Sequence, residues 1–371
     1  MNITTVINVV FFFFAVLGAV DYLLDDRFGL GSQFERGICC CGKLIIAMTG
    51  FMTLAPVLGE VLAPLVTPLF AAVGADPSAL AGMLLANDSG GAVLAAEMAL
   101  DPAAGEFNGY FVASMLGGTV MCIIPMTMLS VGGARRSAAV YGILIGLLTV
   151  PVGCMIGGLL AGYAPGMLVR NLIPASALSL VLAVLLGFFS RQLLRPFQLF
   201  GKCLVGVSLA GLLLTAAGVL LPVELPERLT PFSQIIPVIG SIALTLGGVF
   251  PLLRVVSMLI RKPLGRAARF LGIGQQDITG LLVSAVNIFP TFDMLSDMSH
   301  RGILLNTAFM VGANCVLGDH FAFTAQMRPS LVGPVIAAKA ISGLLAVAVG
   351  AALAPRLVGQ GLHTEITGSD A

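Results

Sequence analysis

Charged side chains are scarce in this chain of 371 residues. Asp, Glu, Lys and Arg together make up 10% of it, whereas a soluble domain carries about 25%. Hydrophobic residues make up 58%, and the mean hydropathy is +1.03. We therefore expect a multi-pass protein whose main partner is the lipid bilayer. The net charge of +1 gives no field that would attract a polyanion, so no nucleic-acid partner is predicted.

The N-terminal segment has neither Lys nor Arg in its first 20 residues, MNITTVINVVFFFFAVLGAV. A secretory signal needs a basic start and a small-residue cleavage site. We interpret this segment as a first spanning helix that is retained. No long polar stretch follows it, so we expect no separate soluble domain.

Disulfide and metal-binding patterns are missing as well. Four of the seven cysteines lie inside apolar runs, and the other three form the cluster Cys39–Cys41, which no second Cys/His cluster answers. None of the three histidines belongs to an HExxH zinc motif. We predict no metal, no cofactor and no enzyme activity. Two aspartates in separate halves leave an intramembrane enzyme as a minor alternative.

Apolar runs long enough to cross a bilayer, about 20 residues each, recur along the chain. They cover 2–20, 44–59, 108–130, 138–160, 172–190, 203–223, 232–253, 302–318 and 329–355, the last broken by Lys339. Two weaker stretches, 78–98 and 276–297, are interrupted by charge and by Gly or Pro. The alternating segments of a β-barrel are absent. The sequence predicts an all-α polytopic membrane protein with about nine to eleven transmembrane helices and two broken, re-entrant hairpins.

The two halves of the chain match each other at a constant shift of 198 residues. Identical residues pair at Phe34/Phe232, Gly50/Gly248, Gly74/Gly272, Gly82/Gly280, Asn108/Asn306 and Phe111/Phe309. Chance matching of apolar residues would not favour the Gly and Asn pairs, so we predict an internal repeat. Residues 1–198 would form the first repeat plus a connecting helix. Residues 199–371 would form the second repeat and a short cytoplasmic tail.

The basic residues of the two halves, by contrast, do not match. The second half has Arg261, Lys262, Arg266 and Arg269 opposite an uncharged stretch, and the first half has Arg36, Lys43, Arg135 and Arg136 opposite uncharged residues. Basic loops stay in the cytoplasm, so equivalent loops would lie on opposite sides of the membrane. This is typical of inverted-topology repeats in secondary transporters. The scheme gives nine crossings and two re-entrant hairpins, with the N-terminus outside; Arg191 fits it and Arg328 does not.

The candidate substrate-binding residues are the polar ones in the two interrupted stretches and in GANCVLGDHF. They are Asn87, Asp88, Ser89, Asn287, Asp293, Asn314, Asp319 and His320. An Asp at the bilayer centre costs about 2.5–3.5 kcal/mol on insertion scales, so such a residue normally faces a cavity or a partner. Gly90, Gly91 and Pro290 would break the helices beside them. Each carboxylate could instead cap the end of a broken helix.

The substrate suggested by these residues is a small cation. Three candidate carboxylates lie within the apolar segments, where Lys339 is the only basic group. Asn and Ser side chains could bind a polar head. A channel-like facilitator, or a proton-coupled carrier of another small amine or cation, would have similar residues. A non-transporting scaffold would leave the interrupted stretches unexplained.

Several ordered stretches, LLANDSGGAVLAAEMA, AVNIFPTFDMLSDMSHRG and VLGDHFAFTA, resemble those of the ethanolamine-utilisation permease family (EutH). The similarity runs over essentially the whole chain. It implies uptake of ethanolamine across the bacterial cytoplasmic (inner) membrane, and Asp88, Asn287 and the pair Asp319–His320 match the family's polar stretches. We expect alternating access at a midplane site between the repeats. Small residues such as GGLLAG (157–162) could also support a homo-oligomer.

Overall fold

The computed structural model describes residues 3–190, 192–259 and 261–368, which contain helices and no β-strand. The helices are α1 (Ile3–Leu23), α2 (Gly31–Ala71), α3 (Ala79–Leu84), α4 (Ala92–Met98), α5 (Pro102–Phe107), α6 (Ile124–Ser130), α7 (Ala134–Leu160), α8 (Pro165–Phe189), α9 (Leu194–Leu220), α10 (Phe232–Leu259), α11 (Arg261–Leu271), α12 (Gln275–Val286), α13 (Ile288–Met294), α14 (His300–Ala313), α15 (Asp319–Met327) and α16 (Val332–Gly368). π-Helical turns cover Asn87–Gly91, Asn108–Gly117 and Thr119–Ile123, and the last two lie between α5 and α6. The expected all-α fold is confirmed. Arg191 lies outside the described residues.

Eight of the described helical segments are long and apolar enough to cross a membrane. They are Thr5–Leu23, Gly31–Ala71, Pro102–Ser130, Arg135–Leu160, Pro165–Phe189, Leu194–Leu220, Phe232–Leu259 and Pro329–Leu357. The expectation of one continuous helix over 302–318 is wrong, because α14 ends at Ala313 and α15 begins only at Asp319. Cys315, between them, has a left-handed φ of +46°, which an α-helix cannot contain.

The expected loop over 25–43 is helical from Gly31 onward. α2 has 41 residues and is therefore about 60 Å long, twice the hydrocarbon core of about 30 Å. Its four charged residues, Glu35, Arg36, Lys43 and Glu60, leave the stretch 44–59 uncharged. One helix can therefore hold all of them without placing a charge at the bilayer centre.

The basic loop expected at 261–269 is also a helix, α11. Ala268 is buried, whereas Arg266, Arg269 and Phe270 are exposed. A short helix with one apolar and one basic face is typical of a membrane interface. The polar tail expected after Arg356 is likewise helical, because α16 continues to Gly368; residues 369–371 lie outside the described part of the chain.

Both interrupted stretches are broken hairpins. In the first, α3 and α4 flank the π-helical turn Asn87–Gly91, where Gly90 has φ +99°. In the second, Asn287 is extended, with φ −152° and ψ 121°, and separates α12 from α13. The breaks therefore lie where the sequence predicts them. Re-entry of each hairpin on one side of the membrane stays a prediction.

The boundaries of the helices recur at the shift of 198 residues. α5 and α14 begin at residues 102 and 300, and α7 and α16 begin at 134 and 332. Gly74 and Gly272 have left-handed φ values of +69° and +64°. This recurrence agrees with a duplicated chain, in which α8 lies between the copies. The opposite orientation of the copies, and the division of the chain at residue 198, stay predictions.

Glycines allow helix backbones to touch at equivalent places in the two halves. α2 packs along α9 and α10, and α10 also packs along α1. A Cβ at Gly50 would overlap the Ser208 carbonyl of α9, and one at Gly248 would overlap the Phe11 carbonyl of α1. Backbone contact of this kind is typical of helix pairs in membranes. It explains why glycine recurs at these two matched positions.

A second group of helices contains α7, α14 and α16, which pack against one another. In the run 157–162, a Cβ at Gly157 would strike Ala338 of α16, and one at Gly158 would strike Leu168 of α8. These two glycines therefore allow close helix contacts within one chain. A homo-oligomer stays a prediction.

Gly50→Ala should destabilise the fold, because its new methyl group would overlap the Ser208 backbone. Overpacking of this kind costs about 1–3 kcal/mol. Gly42→Ala is the matched control in the same helix, since nothing lies within 4 Å of its Cβ position. It should stabilise α2 by up to about 1 kcal/mol through helix propensity. Thermal unfolding, followed with a maleimide fluorophore that reacts with the buried Cys154 and Cys315, should therefore shift in opposite directions; equal shifts would contradict the close helix contact.

Candidate functional site

Asp88 lies in the π-helical turn of the first hairpin. The turn depends on Gly90, whose φ of +99° favours glycine and whose Cβ position is blocked by Phe51 of α2. The Asp88 residue is 8% exposed. Among the described residues, one neighbouring side chain donates to its carboxylate: Ser89, whose Oγ lies 3.2 Å from Asp88 Oδ1. A buried carboxylate with so few donors can still accept hydrogen bonds from a ligand.

Asp76, at the start of the same hairpin, is the contrasting case of a structural carboxylate. Its Oδ1 accepts from the Ser78 N–H at 2.9 Å, and its Oδ2 accepts from the Leu100 and Asp101 N–H groups, both at 2.9 Å. Asp277 in the second hairpin similarly accepts hydrogen bonds from backbone N–H groups. The helix-capping explanation therefore fits Asp76 and Asp277 and does not fit Asp88.

Asp319 and His320 begin α15, directly after the break that separates it from α14. Gly318 passes so close to the Val286 carbonyl of α12 that a Cβ would overlap it. The His320 N–H donates to Asp319 Oδ1 at 3.0 Å. Carboxylates are favoured in the first turn of a helix by its dipole. His320 is buried, whereas Asp319 is partly exposed.

The two breaks bring these residues together from opposite halves of the chain. His320 Nε2 lies 3.7 Å from Asp88 Oδ1. One side-chain ligand atom from each of Asp88, Asp319 and His320 lies within 4.8 Å of the others. The first hairpin and the helix break 314–318 thus meet at a single buried polar site.

Lys339 of α16 completes this site, and the list of candidate binding residues from the sequence omits it. It is 1% exposed, and its Nζ lies 2.6 Å from the Ser114 carbonyl oxygen, 3.1 Å from His320 Nδ1 and 3.4 Å from Asn314 Oδ1. The signal available in the sequence was a single Lys in an otherwise uncharged span. We call Asp88, Asp319, His320 and Lys339 the central cluster.

The contact with Lys339 determines which nitrogen of His320 carries the proton. An ammonium group can only donate, so His320 Nδ1 must accept and the hydrogen must be on Nε2. The Nε2–H then faces Asp88. His320 is therefore neutral in this arrangement. Its Nδ1 accepts from the Lys339 ammonium, and the positive end of its Nε2–H bond dipole points toward the Asp88 carboxylate.

Two buried amides beside the cluster have atoms without a partner among the described residues. Asn87 donates through Nδ2 to the His320 carbonyl at 3.4 Å, but its Oδ1 has none; Asn314 accepts from Lys339, but its Nδ2 has none. Asn87 is 0% and Asn314 1% exposed. Unsatisfied buried polar atoms cost about 1–3 kcal/mol each. One free acceptor and one free donor would suit a ligand that can both donate and accept.

Gly118 lies next to the Asn314 amide and has no side chain that would occupy the space there. A Cβ there would lie 3.3 Å from His320 Cε1 and 3.8 Å from Asn314 Nδ2. Gly118 lies between two π-helical turns, a helix distortion that is frequent at functional sites. Any larger residue would fill the space that borders both His320 and the free donor of Asn314.

The remaining predicted residues lie elsewhere. Asn287 caps α13, its Oδ1 accepting from the Phe289 N–H at 3.0 Å, and it lines a separate cavity. Asp293 is exposed on α13. The structure therefore joins Asn87, Asp88, Ser89, Asn314, Asp319 and His320 and does not join Asn287 or Asp293. The end of α12 lies beside the helix break, through hydrogen bonds from Cys315 and Leu317. Asn287 and Asp293 follow α12 and do not face the cluster.

Two cavities are lined in part by residues of the hairpins. One, of about 570 Å³, has a largely apolar wall from α2, α10 and α12 and includes Arg36, Arg254 and Asn287. The other, of about 300 Å³, is lined by the first hairpin and the end of α15. There Arg328 Nη2 lies 2.7 Å from Glu106 Oε1, so the main exception to the positive-inside scheme is paired. None of the central cluster residues lines either cavity.

The same three ligand atoms of Asp88, Asp319 and His320 have a spacing that a metal ion could use. The Lys339 ammonium, however, lies 3.1 Å from the other nitrogen of the same imidazole. It would repel a divalent ion, and it supplies a fixed positive charge where a metal would otherwise be needed. The donor set thus fits an organic monovalent cation better than a metal.

The charged residues of the cluster have no charged counterparts in the other half. At the shift of 198 residues, Asp88 corresponds to Val286, His320 to Cys122 and Lys339 to Tyr141. The chain therefore contains one such cluster among its described residues, although its helices recur in pairs.

The family model described as "Ethanolamine utilisation protein, EutH" matches residues 3–353. The chain belongs to the EutH family. A protein named "Probable ethanolamine permease EutH" from Listeria monocytogenes serotype 1/2a (strain 10403S) is 39% identical over 99% of this chain and 98% of its own length. The protein of the same name from Escherichia coli (strain K12) is 33% identical over 98% and 99%. No solved structure matches the chain.

A further relative, "Uncharacterized protein YxeR" from Bacillus subtilis (strain 168), is 37% identical over 92% of both chains. The family and the eight apolar helices together establish a multi-pass membrane permease. The resemblance found in the sequence is confirmed. The names of the relatives point to a transporter, and no catalytic family is indicated.

Proposed function

We propose that this EutH protein imports ethanolamine across the bacterial cytoplasmic membrane and binds it at the central cluster. The observation that carries the proposal is the buried Asp88 carboxylate, which has one side-chain donor among the described residues and lies beside Asp319 and His320 from the other half of the chain. The names of the relatives, with 33–39% identity over nearly the whole chain, supply the substrate.

The chemistry of the cluster suits an amino alcohol. Ethanolamine is mostly protonated at neutral pH, and its ammonium group would donate to the two carboxylates in charge-assisted hydrogen bonds. Its hydroxyl group can accept from Asn314 Nδ2 and donate to Asn87 Oδ1, the two buried atoms without a partner. A side chain at position 118 would crowd this hydroxyl, because even a Cβ there would lie 3.3 Å from His320 Cε1.

Alternating access is the transport mechanism that we infer for this site. The central cluster lies outside the linings of both cavities, as expected for an occluded state. Its residues come from the first hairpin, α15 and α16, so a relative movement of the two halves would open it toward one cavity at a time. A channel-like facilitator is the alternative.

Uptake of labelled ethanolamine into liposomes containing the purified protein tests the function. We expect saturable uptake and counterflow, in which unlabelled ethanolamine inside accelerates entry of the label, because a carrier returns faster when loaded. Saturable uptake without trans-stimulation would favour the facilitator. Absence of uptake above that of protein-free liposomes would refute the proposed function.

A further inference from the structure

The central cluster contains an odd number of charged groups. Asp88 and Asp319 are carboxylates, Lys339 supplies one ammonium, and His320 is neutral because its Nδ1 accepts from Lys339. The other titratable neighbours are the thiols of Cys40 in α2, Cys122, Cys154 in α7, and Cys315 before α15. A thiol, with a reference pKa of about 8.5, is largely uncharged at neutral pH. Two negative charges therefore face one positive charge.

Lys339 cannot balance both carboxylates. Its three N–H donors are matched by three acceptors: the Ser114 carbonyl, His320 Nδ1 and Asn314 Oδ1. It acts on Asp88 only through the intervening imidazole, whose Nε2 lies 3.7 Å from Asp88 Oδ1. One negative charge in the buried site is left without a partner, and such a charge is strongly unfavourable away from water.

Two carboxylates this close together favour a shared proton, because both cannot remain ionised side by side in a site of low polarity. We propose that Asp88 and Asp319 share one proton when no substrate is bound, that the substrate's ammonium displaces it, and that the permease thereby exchanges an organic cation for a proton. This inference rests on the proposed function and adds the ion that is exchanged. In this proposal, cation binding is coupled to proton release because the four cluster residues carry one negative charge in excess.

The exchange step conserves charge and atoms. The carboxyl O–H bond breaks, its proton passes to water on the side to which the site is open, and an ammonium–carboxylate ion pair forms. The cluster has the same total charge with the proton as with the cation. The loaded carrier and the returning carrier therefore cross the membrane barrier with equal charge, and transport is electroneutral.

The proton count can be measured directly by calorimetric titration of ethanolamine into the detergent-solubilised protein. Titrations in buffers with different ionisation enthalpies, at pH 6, 7 and 8, give the number of protons released for each ligand bound. We expect a value approaching one at the lowest pH, with the apparent affinity for the cation falling up to tenfold for each unit that the pH is lowered. Binding with no proton release at any of these pH values would overturn the exchange.

Two variants distinguish the cluster from other carboxylates. Asp319→Asn leaves one carboxylate balanced by Lys339, so any ethanolamine that it binds should release no proton. Asp297→Asn removes an exposed carboxylate of the second hairpin region and should release the same number as the unaltered protein. Equal proton release by all three proteins would place the proton elsewhere and contradict the proposal.

A flux measurement tests electroneutrality separately. Proteoliposomes containing valinomycin are given a K⁺ diffusion potential at equal internal and external pH, and passive diffusion into protein-free vesicles is subtracted. Ethanolamine uptake should change by less than about twofold between opposite potentials, since the exchange moves no net charge across the membrane. A strong dependence on potential would overturn the exchange and leave the proposed permease function standing. Absence of both binding and uptake would instead refute the permease function.

Discussion

Asp88→Asn is expected to abolish ethanolamine uptake while leaving the protein folded. The variant keeps the shape of the side chain and removes the charge that faces the ammonium group. Loss of one partner from a buried, hydrogen-bonded charge pair costs about 2–5 kcal/mol, which corresponds to a loss of affinity of about 30-fold to several thousand-fold. Initial rates of uptake at low substrate concentration in proteoliposomes measure this loss.

Stability should move the other way in this variant. Asp88 has few donors in the empty site, so replacing its carboxylate with an amide should keep or raise the temperature of unfolding. Asp293→Asn is the matched control, because Asp293 is an exposed carboxylate of the other hairpin, and its uptake should remain within about twofold of the unaltered protein. Normal uptake by Asp88→Asn would contradict the proposed site in the first hairpin. Loss of uptake in Asp293→Asn alone would place the site in the second hairpin.

Lys339→Met is expected to destabilise the protein and to stop transport. The substitution preserves most of the side-chain length but leaves the Ser114 carbonyl, Asn314 Oδ1 and His320 Nδ1 without their donor. It also leaves both carboxylates without a fixed positive charge. Breaking a buried charge pair in this way costs about 3–5 kcal/mol of folding free energy. Denaturant titration, followed by exposure of the buried Cys154 and Cys315, measures the loss.

The pH dependence identifies the cause of this destabilisation. Acid protonates the carboxylates and removes the uncompensated negative charge, so the loss should be smaller at pH 5 than at pH 8. Lys202→Met in α9 is a suitable control, because Lys202 is exposed and its removal should change stability by less than about 0.5 kcal/mol at either pH. A loss in Lys339→Met that did not vary with pH would indicate a packing role alone.

Much of the fold could be predicted from the sequence, because the bilayer imposes a minimum length and apolar composition on each crossing. The two broken hairpins were visible as Gly, Pro and charge inside apolar stretches. The break inside 302–318 has no signal in the sequence, because it depends on the backbone at Cys315, a residue type that is common in apolar packing. The lengths of α2 and α16 were also underestimated, since charged residues near the ends of long helices resemble loops.

The site was predictable where it depends on a rare residue type in an apolar setting. Asp88, Asp319 and His320 stood out for that reason, and the structure joins them. Asp293 has the same signal, but it lies on an exposed face, and only the packing of α13 decides that. Lys339 is the lone basic residue of its span, but its separation from His320 in the sequence gives no indication that the two side chains are in contact. Gly118 has no sequence signal, because its importance is the absence of a side chain at one point in space.

The charge asymmetry between the repeated halves limits how many substrates one chain can hold. Val286, Cys122 and Tyr141 occupy the places corresponding to Asp88, His320 and Lys339, so the second set of positions offers an ammonium group no ionic partner. A saturated polypeptide should accordingly retain one ethanolamine, not two. Because the two halves contribute chemically different residues at the proposed site, we expect half-saturating concentrations measured from opposite sides of the membrane to differ.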